Sequence, residues 1–138
     1  MRFTIQADGG ARGNPGPAGA GAVVYDESHN IVGEVSEFLG HATNNVAEYT
    51  ALISAFELLL AQLGEKAKEA EIAVEMDSKL VVEQMRGAWK VKHPNMKPLA
   101  AAAAHHCRLF RSVSFTHIPR EKNGVADALA NKAMDLGH

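Results

Sequence analysis

Cysteine is nearly absent from this chain. Cys107 is the only one among 138 residues, so no internal disulfide can form, and the expectation is a protein of the reducing cytoplasm. No uninterrupted apolar run reaches the roughly 20 residues that span a bilayer, which argues against a membrane partner. Met1-Arg2-Phe3-Thr4-Ile5-Gln6 runs directly into strand-like sequence and carries no apolar signal-peptide segment. Repeats are lacking, and the only low-complexity stretch is the alanine run 100–104. An excess of positive charge is lacking too: the net charge of −2, taken alone, argues weakly against a nucleic-acid binder.

What is present fits one domain over 1–138, expected as a monomer. Hydrophobic residues at 46% and charged residues at 22% are enough for one core without staples. The charge is unevenly placed. Residues 86–122 hold eight Lys/Arg and one acid, a surplus of +7, and the remainder carries −9. One basic and one acidic region could hold a polyanion and metal cations respectively. A chance excess of surface lysine on one stretch would look the same.

The alternation of residues 2–8 predicts a strand that ends at Asp8. Residues 9–21, rich in Gly and Pro, read as a long structured turn. Ala22–Tyr25 and Ile31–Leu39 read as strands around a hairpin turn at 26–30, completing an antiparallel meander. Thr43 or Asn44 can cap a helix to Leu63, with Leu52, Ile53, Phe56, Leu59 and Leu60 on its apolar face and Gly64 as its stop. Residues 65–70 read as a charged connection. Glu71–Met76 is the fourth strand, and Ser78 caps a short helix, Lys79–Met85. Residues 87–98 read as a loop, Leu99–Phe110 as a helix and Val113–His117 as the fifth strand. The last helix is Asn123–Leu136, with Val125, Leu129 and Ala133 on one side; the pair His105-His106 reads as solvated surface. The order is βββαβααβα, an α/β fold with a five-stranded mixed sheet, and the helical crossover implies that strand four pairs parallel to an earlier strand.

Four acids fall at the ends of elements. Asp8 and Asp77 follow strands, and Glu48 and Asp127 sit in the first turns of helices. Ligand crevices of open α/β sheets form at such places. Gathered carboxylates repel one another unless cations neutralise them, and Mg²⁺ with oxygen ligands is the usual choice beside phosphate. Two ions about 4 Å apart would suit in-line phosphoryl transfer. Four unrelated surface acids, two of them serving helix N-termini, are the plainer alternative.

Asp8-Gly9-Gly10-Ala11-Arg12-Gly13-Asn14-Pro15-Gly16-Pro17-Ala18-Gly19 resembles the first motif of type 1 ribonucleases H. Thr43-Asn44-Asn45-Val46-Ala47-Glu48 resembles the second, Asp77-Ser78 the third, and Asn123-Gly124-Val125-Ala126-Asp127-Ala128-Leu129-Ala130 the fourth. The resemblance covers nearly the whole chain, in order, and implies the RNase H-like fold. It also implies a Mg²⁺-dependent endonuclease that cleaves the RNA strand of RNA–DNA hybrids to 5′-phosphate and 3′-hydroxyl ends. Asp8, Glu48, Asp77 and Asp127 are the implied catalytic metal ligands for two Mg²⁺ ions, with Mn²⁺ as a possible substitute. Gly9, Asn14, Thr43, Asn44, Asn45, Ser78, Lys79 and Trp89 are the implied substrate contacts. An asparagine amide can both donate to and accept from a ribose 2′-hydroxyl, the group that marks RNA.

Two departures from the family pattern stand out. The long basic insertion of many bacterial members is reduced here to residues 87–98, as in an archaeal-like and actinobacterial subgroup. Trp89 with Lys90, Lys92 and Lys97 could touch a nucleic-acid backbone, or Trp89 could pack on the sheet. His117 has the spacing of the flexible catalytic histidine, ten residues before Asp127. It also reads as a strand end, which leaves Arg120 or Lys122 as alternatives for that role. The competing functions are another nuclease of the same fold, an exonuclease or strand-transfer enzyme, and a non-catalytic hybrid-binding module. Double-stranded RNA is a possible additional substrate.

Overall fold

The first strand runs further than its alternation predicts. In the computed structural model, which describes residues 1–137, β1 spans Arg2–Ala11 and only residues 12–15 separate it from β2, Gly16–Tyr25. Asp8 therefore lies inside β1 and does not end it, and the long turn expected over residues 9–21 is mostly strand. The glycines there serve close packing more than turning. A Cβ on Gly9 would lie 2.3 Å from the carbonyl carbon of Ala47 and 2.4 Å from the Glu48 nitrogen. On Gly21 it would lie 2.2 Å from the Ala126 carbonyl oxygen. Helix backbones rest directly on the strands at these points, and only glycine leaves room.

β3, Ile31–Ala42, completes the antiparallel meander. The turn before it is held by Asp26, whose Oδ1 accepts from the amides of Ser28 and Asn30. Helix α1, Asn44–Leu63, begins where the Thr43 hydroxyl accepts from the Val46 amide, a common N-cap. It stops at Gly64, and the connection expected at 65–70 is a 3₁₀ helix, Gly64–Glu69. β4 is Glu71–Met76, and α2, Lys79–Met85, is capped by Ser78. Helix α3 runs Lys97–Cys107, earlier than the expected Leu99–Phe110, because Pro98 is suited to a first helical turn. β5 is Ser112–His117 and α4 is Gly124–Leu136.

The sheet order is β3-β2-β1-β4-β5, with β4 parallel to both β1 and β5. Helix α1, backed by α3, covers the face that carries Ile5, Ala7, Val74 and Met76. Leu52, Phe56 and Leu59 of α1 fill that core, as their spacing predicts. His106 joins its edge, stacked 6.4 Å from Phe56, so of the histidine pair only His105 is fully solvated surface. Residues 44–69 form a helical stretch long and apolar enough to cross a membrane by length and composition. It is interrupted by Glu48, Glu57 and the charges after Gly64, and it is the core helix lying along the sheet.

Helix α4 covers the opposite face of β1, β2 and β3. Its buried side is Ala126, Ala130 and Ala133, while Val125 is 42% exposed. Of the expected side, Ala133 is buried, Leu129 is half-buried and Val125 turns outward. The glycines of β2 pull the helix in so closely that only alanine fits beneath it. Gly21→Ala should cost about 3 kcal/mol or more, the upper range for overpacking. In Gly10→Ala the new Cβ meets only the Met134 methyl at 3.5 Å, and stability should stay within about 0.5 kcal/mol; urea unfolding of the two variants checks the contrast.

Candidate active site

β1 outruns its parallel partner. Pairing with β4 stops at Ala7 opposite Met76, so Asp8 in β1 and Asp77 just past β4 come level at a notch in the sheet. The Gly9 contact lays the Ala47–Glu48 peptide against β1 beside that notch. Asp127, in the first turn of α4, arrives from the other face. The four acids singled out in the sequence thus line one cleft together with Gly9, Gly10, Ala11, Asn44, Asn45, Arg120 and Met134. They line its walls and do not form a closed cage: among the described residues no three His, Cys, Asp or Glu groups stand in a metal-enclosing cluster.

The electrostatics of the cleft are unfavourable for an acid cluster left alone. The Asp8 carboxyl is raised from 3.8 to about 8, first by burial, then by the charge of Asp77, by a hydrogen bond with Asp127, and by the charges of Asp127 and Glu48. Glu48 is raised from 4.5 to about 7 by burial and by Asp77, against a hydrogen bond from the Ser78 hydroxyl that lowers it. Positive charge nearby is slight: Arg120 Nη2 stands 3.9 Å from Asp127 Oδ1 and its side chain is mostly exposed. A donor set made wholly of oxygen, short of counter-charge, has the chemistry that suits a hard divalent cation.

The asparagines hold the neighbouring surface. Asn44 Oδ1 accepts from the Ala11 amide at 2.7 Å, and Asn14 Oδ1 accepts from the Asn44 amide at 3.0 Å. Each oxygen spends one lone pair on the protein, and among the described residues neither Nδ2 has a protein partner. Asn45 lines both the acid cleft and a small hollow shared with Asn14, Thr43, His93 and Asn95. Ser78 serves two elements, capping α2 and meeting Glu48. Lys79 Nζ lies 6.0 Å over the Trp89 ring. Trp89 is 45% exposed, so it does not pack on the sheet.

His117 ends β5 and sits beside the cleft. Its Nε2 is 3.3 Å from the Asp77 carbonyl oxygen and can donate to it when protonated there. Arg120, on the 3₁₀ turn Arg120–Lys122, reaches the cleft itself. The basic stretch 86–122 is not one face. Arg108 and Arg111 lie before Ser112, which pairs with Glu71, and thus at the far end of β5, about 17 Å of strand from His117.

One residue of the fourth motif has a place that its sequence context does not reveal. Asn123 is fully buried; its Nδ2 donates to the Ala7 carbonyl at 2.9 Å and to Asp77 Oδ1 at 3.2 Å. A capping-type residue four positions before Asp127 reads simply as a helix start. Only the pairing of β1 with β4 shows what its amide reaches.

The chain matches the family model described as Reverse transcriptase-like over residues 6–133. It is 49% identical over 136 residues to the Bifunctional protein Rv2228c of Mycobacterium tuberculosis, covering 98% of this chain and 36% of that protein. It is 43% identical over 128 residues to Ribonuclease HI of Halobacterium salinarum, covering 93% of this chain and 62% of that protein. The chain thus spans about a third to two-thirds of the length of these curated relatives. Among solved structures, LC11-RNase H1 in complex with RNA/DNA hybrid superposes with a TM-score of 0.92 at 50% identity, covering 97% of each chain.

The raised carboxyls have a consequence for the metal-free protein. Asp8 and Glu48 bind protons more tightly folded than unfolded, so the folded state holds the extra protons between about pH 4 and 8. Stability in EDTA should therefore fall as pH rises through that window. Asp8→Asn removes the larger contribution and should be more stable than the parent at pH 8.5, by on the order of 2 kcal/mol. The two should converge near pH 4, as thermal melts at both pH values would show.

Proposed function

The chain belongs to the type 1 ribonuclease H family, and from that premise we propose that it is a divalent-cation-dependent endonuclease hydrolysing the RNA strand of RNA–DNA hybrids. The observation that carries the reading is the parallel register that sets Asp8 level with Asp77, with Glu48 and Asp127 lining the same cleft. The relatives named ribonuclease HI and the hybrid-bound LC11 enzyme support the substrate class.

Asp8, Glu48, Asp77 and Asp127 would hold two Mg²⁺ ions, with Mn²⁺ as a substitute. Bound there, the ions would acidify the attacking water and offset charge on the leaving oxygen. The chain's own groups do the rest. The cleft lies at a notch of rigid strand and helix, so the acids are held in place before substrate arrives. Ser78 donates to Glu48 and favours its ionised form. Asn14 and Asn44 present Nδ2 donors to acceptor atoms of the hybrid, the 2′-hydroxyl oxygen among them, while Asn45 keeps both donor and acceptor. Thr43 and Gly9 line the path of the backbones, and Lys79 with Trp89 offers a cation and an apolar plate at its flank.

His117 and Arg120 divide the remaining work by chemistry. An imidazole can both donate and accept a proton, and a guanidinium can only donate hydrogen bonds. His117 is therefore the proton carrier in this reading, and Arg120 the fixed charge that meets a phosphate oxygen. Recognition through shape and 2′-hydroxyls gives little dependence on base sequence. A single cysteine, with no internal disulfide possible, fits a cytoplasmic protein, and a monomer is the working form.

A labelled hybrid should be cut in Mg²⁺ and left whole in EDTA, with duplex DNA uncut. Cleavage of duplex RNA in the same assay would add that substrate. Asp77→Asn should lower the rate by more than about a hundredfold, the scale for removing one charge-stabilising group, and still bind hybrid in a gel-shift. Full activity of Asp77→Asn, or equal cutting of duplex DNA, would sink the reading.

A further inference from the structure

Asn123 stands directly before α4, where a side chain of its type normally accepts from the first free amides of the helix. It makes no such bond. Its side chain turns inward, fully buried, and spends both amide hydrogens on other elements. One goes to the carbonyl of Ala7 in β1, the other to the carboxylate of Asp77 at the end of β4. Which end of the amide faces these partners is settled by their chemistry. Ala7 offers a carbonyl and Asp77 a carboxylate, both acceptors, so the NH₂ must face them and not the oxygen.

The cost of this orientation is visible. Asn123 Oδ1 is buried without a hydrogen-bond partner, the only such side-chain atom among the described residues. Buried polar atoms are nearly always paired, so the amide is oriented by its donors at the expense of its acceptor. The backbone of the same residue accepts from the Asp127 amide. Asn123 thus touches the strand residue before Asp8, the side chain of Asp77, and the helical turn that carries Asp127.

We infer that Asn123 is a positioning residue that fixes the Asp77 carboxylate relative to Asp8 and Asp127, and so sets the affinity of the cleft for divalent cation. The inference rests on the proposed function's assignment of the four acids as metal ligands. Asp77 Oδ1 accepts from Asn123 while the same side chain lines the cleft, so the bond restrains the carboxylate where it faces the other acids. Partners of this kind behind a ligand typically change metal affinity 10- to 100-fold when removed.

NMR titration of the ¹⁵N-labelled chain with MgCl₂, without substrate, separates the two levels. Saturable shifts at the backbone amides of residues 8 and 77 in the unmodified protein are required, and their absence would overturn the metal assignment itself. Given those shifts, Asn123→Ala should raise the Mg²⁺ dissociation constant 10- to 100-fold while circular dichroism still reports a folded chain. A folded variant with a constant within twofold of the parent would overturn the positioning role and leave the metal assignment standing. If the alanine variant does not fold, Asn123→Ser serves, since one hydroxyl hydrogen can satisfy only one of the two acceptors. The unmodified protein gives an independent reading: the Asn123 side-chain NH₂ pair should shift along the same saturation curve as the residue 77 amide. An NH₂ pair that stays fixed through saturation would also overturn the inference.

Discussion

Backbone resting on backbone is the constraint from which this structure follows. At Gly9 the peptide of Ala47 and Glu48 lies where a β-carbon would be, and at Gly21 the carbonyl of Ala126 does the same from the other face. Side chains normally hold packed elements about 8–10 Å apart. Without them, α1 and α4 come in far enough to deliver Glu48 and Asp127 to the same notch. That notch exists because β1 continues past the end of β4. Strand lengths and missing methyl groups, more than any attraction among the acids, assemble the cleft.

The assembled cleft runs against the electrostatics of folding. Burial and mutual repulsion raise Asp8 and Glu48 far above ordinary carboxyl values, and the unpaired Asn123 oxygen adds a buried polar atom without a partner. Such features concentrate where function and stability make opposed demands. The surrounding core is apolar, with Ile5, Leu52, Phe56 and Val74 buried on the α1 face.

Long-range charge is organised less simply than chain position suggests. Lys/Arg of residues 86–122 are close in sequence, but α3 and β5 separate them in space. Arg120 ends at the acid cleft and Arg108 at the far end of the sheet. The loop between α2 and α3 contributes His93 and Asn95 to the hollow beside Asn14 and Thr43. A local and mixed surface of this kind relies on hydrogen bonds and shape more than on a broad positive field.

Local patterns in the sequence were enough for the order of elements, the meander, the parallel pairing of the fourth strand and the caps at Thr43 and Ser78. Each depends on neighbours within a few residues, where side-chain period and capping chemistry act directly. The four acids were also legible, though for Asp8 the local reason fails: it lies inside β1, and what places it at the site is the end of its pairing with β4. The strand extension through Gly9–Ala11 and the burial of Ala126 and Ala130 under α4 were not, nor was the choice between the two places open to Trp89. A glycine in a turn and a glycine under a helix have the same sequence signature, and the difference lies in what crosses it from a hundred residues away. Asn123 shows the same limit. Its residue type signals a helix start, but its partners, Ala7 and Asp77, lie 116 and 46 residues distant. The sequence by itself determined which residues could carry the chemistry. The tertiary structure alone decided how they face one another, because close packing and hydrogen-bond partners across the sheet are properties of neighbours in space.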